Sequence, residues 1–286
     1  RIALLYGIAD FATFGGTASR GGACESNPHD AIHDDIGLHT SPFHDMGHLG
    51  YAARDPIFYA HHCNIDKIWS NWNALAATRP SPAYRNPTDP AFLSERWNFY
   101  DENRRTVSMS AADVLNYPSY LRYTYPASTT RRTSSASAEE SQAPEQSQAP
   151  IVNMYEGRLK YSGSISGPVL DLSYRVKTSL IEAVRNQDSV AIVLREVPMP
   201  KSATGVFDIV SVRGFSVKHL GVIAVVADAM QMGNMPKTVV LDATEAVDDL
   251  VNESNPARIT VVPRNGNGGS FTLHAEEMDL RVISRR

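Results

Sequence analysis

Cysteine is nearly missing: two residues, Cys24 and Cys63, in a chain of 286 exclude a disulfide-stapled scaffold and leave the redox compartment open. An excess of basic charge is missing too. The 27 Lys and Arg are outnumbered by 31 Asp and Glu, giving a formal net charge of −4, so the chain has no broad basic field with which to bind nucleic acid. No apolar run reaches the length that crosses a bilayer. There is no initiator methionine, and the opening RIALLYGIADF has the pattern of neither a signal peptide nor a transit peptide. The expectation is therefore a fragment or processed product whose address signal lay upstream.

Large apolar residues vanish from Pro126 to Pro150, PASTTRRTSSASAEESQAPEQSQAP, where the unit SQAP occurs twice. Such a stretch cannot bury enough surface to offset its ordering entropy, so it reads as a disordered linker. This predicts domains at 1–125 and 151–286. The first carries seven of the nine histidines, with helical patterning strongest from Asp55 through Ala76, and is expected to be mainly α-helical with long loops. The second has apolar alternation or short apolar runs in VLDLSYRV, SVAIVLREV, GVFDIVSVRGF, GVIAVVA, KTVVLDA, ARITVVP, SFTLHA and MDLRVI, which predicts a β-sandwich. One short helix is expected at Thr244–Asn252. The fold class is α + β.

His29 and His33 lie four apart in ESNPHDAIHDD, after Pro28, with Asn27 as a candidate N-cap and Asp30 three residues later. On one helix face, two neutral imidazoles at that spacing can share a metal ion; the alternative is a solvated helix start with incidental histidines. A second pair, His61 and His62, sits in a segment rich in Phe58, Tyr59, Ile65, Ile68, Trp69 and Trp72. A single core histidine satisfied by a carbonyl would be unremarkable there. Three imidazoles drawn from two helices instead suit Cu or Zn, and the shortage of carboxylates disfavours Mg or Ca. Asp66, four residues after His62, reads as an acceptor that orients a ligand ring or as a surface salt-bridge partner. Cys63 reads as a small buried residue rather than a ligand.

HDAIH (29–33) with RDPIFYAHHCNIDKIW (54–69) closely resembles the second copper-binding half, CuB, of plant polyphenol oxidases, the tyrosinase-like catechol oxidases. FYDEN at Phe99–Asn103 and LRYTY at Leu121–Tyr125, with Tyr123 and Tyr125, resemble the segments that close that catalytic domain. GVFDIV at Gly205–Val210 and DATEAVDDLVN…ITVVPRNGNG are similar to the family's carboxy-terminal KFDV-type domain, with Val206 where the motif has Lys. The resemblance implies a type-3 copper half-domain followed by a β-sandwich that shields the active site until the linker is cut.

It further implies His29, His33 and His62 as copper ligands, with His61 as a supporting neighbour. Glu25 stands where the family has a glutamate that holds a water near the copper, so it is the candidate catalytic carboxylate; a solvated charge at a helix start is the alternative. Asp30 stands where Asn accompanies monophenol activity in the family, which leaves monophenol hydroxylation open. Leu49 falls at the position of a gate residue. The implied activity is oxidation of o-diphenols to o-quinones with O2 reduced to water, on small phenolic substrates, in the plastid thylakoid lumen.

Dioxygen needs four electrons and each catechol supplies two, which a pair of coppers can handle and a single ion cannot. The family's first copper, CuA, uses histidines before CuB, and this sequence has none before His29. The CuA part is therefore expected to be missing and this chain alone to be inactive. His39, His44 and His48 read as loop histidines, and His219 and His274 as structural ones. The alternatives are a non-catalytic truncated paralogue with one metal or none, a tyrosinase when complete, and a mononuclear Zn or Cu hydrolase. Against the last, there is no HExxH and no general base except Glu25.

Overall fold

The computed structural model describes residues 2–37, 45–48, 50–80, 82–125, 149–161, 167–200, 205–225, 235–264 and 271–284. The architecture is α + β. Short helices α1 (Ile2–Leu5) and α2 (Phe11–Phe14) lead to the two-residue strands β1 (Gly16–Thr17) and β2 (Arg20–Gly21), then α3 (Ala31–Ile36) and the long α4 (Pro56–Ala74). Next come α5 (Pro90–Ser94), β3 (Arg96–Tyr100), β4 (Thr106–Ser110), α6 (Ala111–Leu115) and α7 (Tyr117–Tyr120). The remainder is β5 (Ile151–Glu156), β6 (Arg158–Lys160), β7 (Val169–Asp171), α8 (Tyr174–Arg185), β8 (Ser189–Val197), β9 (Gly205–Arg213), β10 (Ser216–Val225), β11 (Lys237–Asp242), α9 (Val247–Leu250), β12 (Arg258–Pro263) and β13 (Glu277–Ser284). The chain divides into two compact units, Arg1–Asp66 with Pro150–Arg286, and Lys67–Ala149.

In the first unit one sheet has the order β1-β2-β11-β8-β13-β5 and the other β10-β9-β12-β7-β6. All pairings are antiparallel except β2 with β11. Ile192, Leu194, Phe207, Ile209, Ile223, Leu241, Ile259 and Leu280 from both sheets share one buried core. Alternate residues of a strand face opposite sides, so the unbroken run VAIVL in β8 needs cover on both. Val190, Ile192 and Leu194 enter the main core, while Ala191 packs with Ile283 and Leu4 of α1 on the far side. The second sheet is covered locally by α3, where Ala31 packs with Val206 and Val222.

Three expectations need correction. VLDLSYRV is not one strand: β7 stops at Asp171, and Ser173, whose hydroxyl accepts from the Val176 amide, caps α8. The spacing of Val176, Leu180, Ala183 and Val184 gives that helix its core-facing stripe. The described part of SFTLHA, 271–275, forms no strand, although Leu273 is buried in the core. Strands β5 and β6 and the β3–β4 hairpin lie outside the segments read as strands. The short helix expected at Thr244–Asn252 is there as a 3-10 turn, Thr244–Ala246, continued by α9, which ends at Leu250.

In the second unit, Trp72 is fully buried with its ring 5.5 Å from that of Tyr84, and Trp69 Nε1 donates to Asn86 Oδ1 at 2.8 Å. Asp101 closes the β3–β4 hairpin by accepting from the Asn103 and Arg105 amides. Tyr117, Tyr123 and Tyr125 pack ring against ring, at 4.9 and 5.6 Å. Linker residues 126–148 lie outside the described residues.

Candidate metal centre

Pro56 begins α4 at a position where its missing N–H costs nothing, and Asp55 Oδ1 accepts from the Ile57 amide at 3.0 Å. The helix so started carries His61 and His62. His33 sits on α3 and His29 on the distorted turn Glu25–Asp30 that leads into it. Asn27 is extended there, at φ −160° and ψ 117°, and its side chain does not cap the turn. The expected capping partner, Asp30, has its carboxylate engaged elsewhere.

One ring nitrogen from each of His29, His33, His61 and His62 lies within 4.8 Å of the others. His33 Nε2 and His62 Nε2 lie 3.2 Å apart. His29 Nδ1 bonds Asp30 Oδ1 at 2.9 Å, and His33 Nδ1 donates to the Met46 carbonyl at 2.8 Å. Each bond fixes a tautomer with Nε2 left as the lone-pair donor. His62 stacks on Phe58, with centroids 4.1 Å apart at 27°.

Met46 reaches His33 because Gly37 at the end of α3 touches Gly47. A β-carbon on Gly37 would stand 2.0 Å from Gly47 N.

The electrostatics favour neutral imidazoles. Burial, reinforced by His29 and His33, lowers His61 and His62 to about 4, and burial lowers His33 in the same direction. Burial alone would raise Asp30, but its bonds to His29 and to the buried Lys237 bring it below the ordinary carboxylate value. Glu25 is raised, first by desolvation and then by Asp30, with Lys237 and His29 opposing. The residue as a whole is exposed.

These residues fit a transition metal. The donor set is all imidazole, which suits copper or zinc.

Of the other predicted site residues, Glu25 is on the turn preceding His29, and Asp66 is half-buried on α4, one turn beyond His62; neither joins the four-histidine group. Leu49, His39 and His44 lie outside the described residues. His48 packs against Tyr51, His219 bonds Asp208, and His274 stacks on Tyr161. Cys63 is exposed rather than buried, because its face of α4 turns away from the core; Cys24 is the buried cysteine, and burial pushes its thiol up to about 12. Sequence reasoning missed Met46 and Lys237. A carbonyl leaves no trace in a residue pattern, and Lys237 stands 207 positions from its partner.

Residues 2–75 match the common central domain of tyrosinase, and residues 86–137 match the polyphenol oxidase middle domain. The chain is 36% identical over 104 residues to a chloroplastic polyphenol oxidase of Vitis vinifera, covering 36% of this chain and 16% of that protein. It is 38% identical over 123 residues to a latent chloroplastic polyphenol oxidase of Prunus armeniaca, 43% of this chain and 20% of that one. Aureusidin synthase of Antirrhinum majus is 41% identical over 96 residues, 33% of this chain and 16% of that one. The matches thus span a fifth or less of these relatives' length. All of this chain aligns with 59% of a solved latent aurone synthase (polyphenol oxidase), with a TM-score of 0.52 at 20% identity, a likeness of fold. The chain therefore carries, in order, a segment similar to the tyrosinase central domain, which contains the four histidines, and a segment similar to the polyphenol oxidase middle domain.

Proposed function

We propose that this chain is part of a copper-dependent polyphenol oxidase that converts o-diphenols to o-quinones and reduces O2 to water. The observation that carries the reading is the convergence of His29, His33, His61 and His62 with their donor atoms within 4.8 Å. Copper, when bound as a pair, supplies the electron transfer between catechol and dioxygen. In this reading His29, His33 and His62 hold one ion through their Nε2 atoms. His61 stands behind them. Asp30 and the Met46 carbonyl hold the rings of His29 and His33 in orientation. Glu25 takes the phenolic proton, a role that its raised pKa favours. Asp66 and Leu49 are assigned a supporting acceptor and a gate.

The proposed organisation is a CuB half-domain at 1–125, a tether at 126–150 and a shielding KFDV-type β-sandwich at 151–286. The ligands of the second copper belong, on this reading, to a longer form of the protein, of which this chain is a truncated part. The chloroplastic relatives support a plastid location, and the family resemblance refines it to the thylakoid lumen.

Copper content of the purified chain after reconstitution tests the proposal. One copper per chain is expected, lost in His33→Ala and His62→Ala and largely kept in His61→Ala. Equal loss in the two α4 variants overturns the choice of His62. No copper in the wild-type chain overturns the metal reading, and two coppers with the absorption of a coupled pair overturn the truncation.

A further inference from the structure

Lys237 opens β11 and is 4% exposed. A lysine is seldom buried without a charged partner. Its Nζ donates to Asp30 Oδ2 and, at 3.2 Å, to the Ala224 carbonyl of β10. The other oxygen of the same carboxylate bonds His29 Nδ1 at 2.9 Å. A chain of bonds thus runs from the β-sheet through one carboxylate to an imidazole of the four-histidine group.

We infer that Lys237 is a positioning residue of the metal centre: through Asp30 it sets the tautomer and orientation of His29. The inference rests on the metal reading given above. A carboxylate with both oxygens assigned cannot rotate freely, so an ammonium fixed on Oδ2 aims Oδ1 at His29 Nδ1. That leaves Nε2 as the donor facing His33 and His62.

The lysine is itself held firmly. Its backbone pairs with Val197 of β8 and Gly21 of β2, and the Gly21 amide donates to the Pro236 carbonyl at 3.0 Å. The β11–β8 register shifts between Lys237 and Val239, where the lysine leaves the apolar ladder of the strand; such irregularities re-aim side chains.

A second ion pair supplies the control. Arg264 grips Asp35 on α3 through two bonds of 2.7 and 2.8 Å and also binds Asp208, yet its partners include no imidazole of the group. A residue that acts only by docking α3 on the sheet would behave like Arg264.

The test is titration of the full chain with Co2+, read by d–d absorption, together with the NMR signal of the His29 Nδ1 proton in the metal-free protein. Lys237→Met should weaken cobalt binding about tenfold and broaden the His29 signal. Lys237→Gln, neutral but still a donor, should fall between, and Arg264→Gln should match the wild type in both readouts. If Lys237→Met does not fold, Asp30→Asn with Lys237→Met removes both buried charges and should show the same loss. Wild-type affinity with an unchanged His29 signal in the Lys237 variants overturns the inference, as does an equal loss in Arg264→Gln. A wild-type chain that binds no cobalt overturns the metal reading, and the His29 signal then decides the positioning role alone.

Discussion

Replacing Gly37 by alanine should weaken the metal centre as well as destabilise the fold, by comparable free energies. The new β-carbon would lie 2.0 Å from Gly47 N and 2.3 Å from Gly47 Cα. Ordinary contact between such atoms begins near ~3.5 Å, so the two segments must separate by about 1.5 Å to relieve the closer contact. Met46 immediately precedes Gly47, and its carbonyl accepts from His33 Nδ1 at 2.8 Å. A shift of that size carries the bond beyond the ~3.2 Å limit of a good N–H···O contact. Loss of the bond that orients a metal-binding histidine costs roughly 10–100-fold in affinity, or about 1.4–2.8 kcal/mol. The unpaired buried groups cost the fold about 1–3 kcal/mol. Cobalt titration measures the first and urea unfolding the second. Gly214→Ala is the control: φ is +59° there but nothing lies within 4 Å of the added carbon, so it should cost about 1 kcal/mol of backbone strain and no affinity. Wild-type affinity in Gly37→Ala, or an equal loss in Gly214→Ala, would refute the argument.

Asp279 is salt-bridged to Arg195 at 2.5 Å and to Arg281 at 2.7 Å, and Arg281 also donates to the Gly7 carbonyl. Asp279→Asn leaves the largely buried Arg195 guanidinium without this counter-charge and Arg281 with only the more distant Asp10 at 3.9 Å, and should cost about 3–5 kcal/mol. Arg158→Gln breaks an exposed pair with Asp171 and should cost no more than about 1 kcal/mol. Equal urea midpoints for these two variants would contradict the account. Burial lowers His61 and His62 in the folded chain from an ordinary 6.5 to about 4. Above 6.5 both states are neutral; as pH falls through 6.5 the unfolded chain takes up protons first, so stability should fall from 6.5 towards 4 and level off below. The slope should shrink in His61→Gln, and a slope unchanged by that substitution would remove these histidines from the explanation.

What the sequence made legible was local. α4 could be read because Asp55, Pro56 and a dense apolar segment announce a helix within a few residues of one another. The histidine pairs were legible for the same reason, since a spacing of four on a helix and two adjacent residues on another are local facts. Strands such as β8 stood out because both faces are buried, one by the main core and one by α1, so nearly every residue is apolar. The β3–β4 hairpin escaped although RWNFY and TVSMS alternate polar and apolar residues, because the alternation is short and every residue of β3 is exposed, so it marks no buried face. α8 escaped because the apolar pattern of β7 runs into its first turn, with Ser173 as the only break. Lys237 and Met46 escaped for a different reason: their role exists only after segments distant in sequence have packed together.

The four rings differ in what holds them, and this separates His62 from the rest. His29 is held by Asp30, His33 by the Met46 carbonyl and His61 by the His29 backbone. His62 meets His33 at Nε2 and otherwise rests its plane on Phe58. Packing against one ring face restricts tilt but sets no tautomer, so His62 depends on aromatic contact where the others depend on hydrogen bonds. Stacking of this kind is worth about 0.5–1.5 kcal/mol beyond the area it covers, which converts to roughly 2–10-fold in affinity. Phe58→Leu keeps an apolar side chain and removes the flat surface. It should therefore weaken cobalt binding by that factor, leave the His29 Nδ1 signal unchanged and lower the urea midpoint only slightly. A variant that binds cobalt as tightly as the wild type would mean that the stacking does not orient His62. A variant that also loses the His29 signal would mean that Phe58 supports the whole group and that the four rings are held collectively.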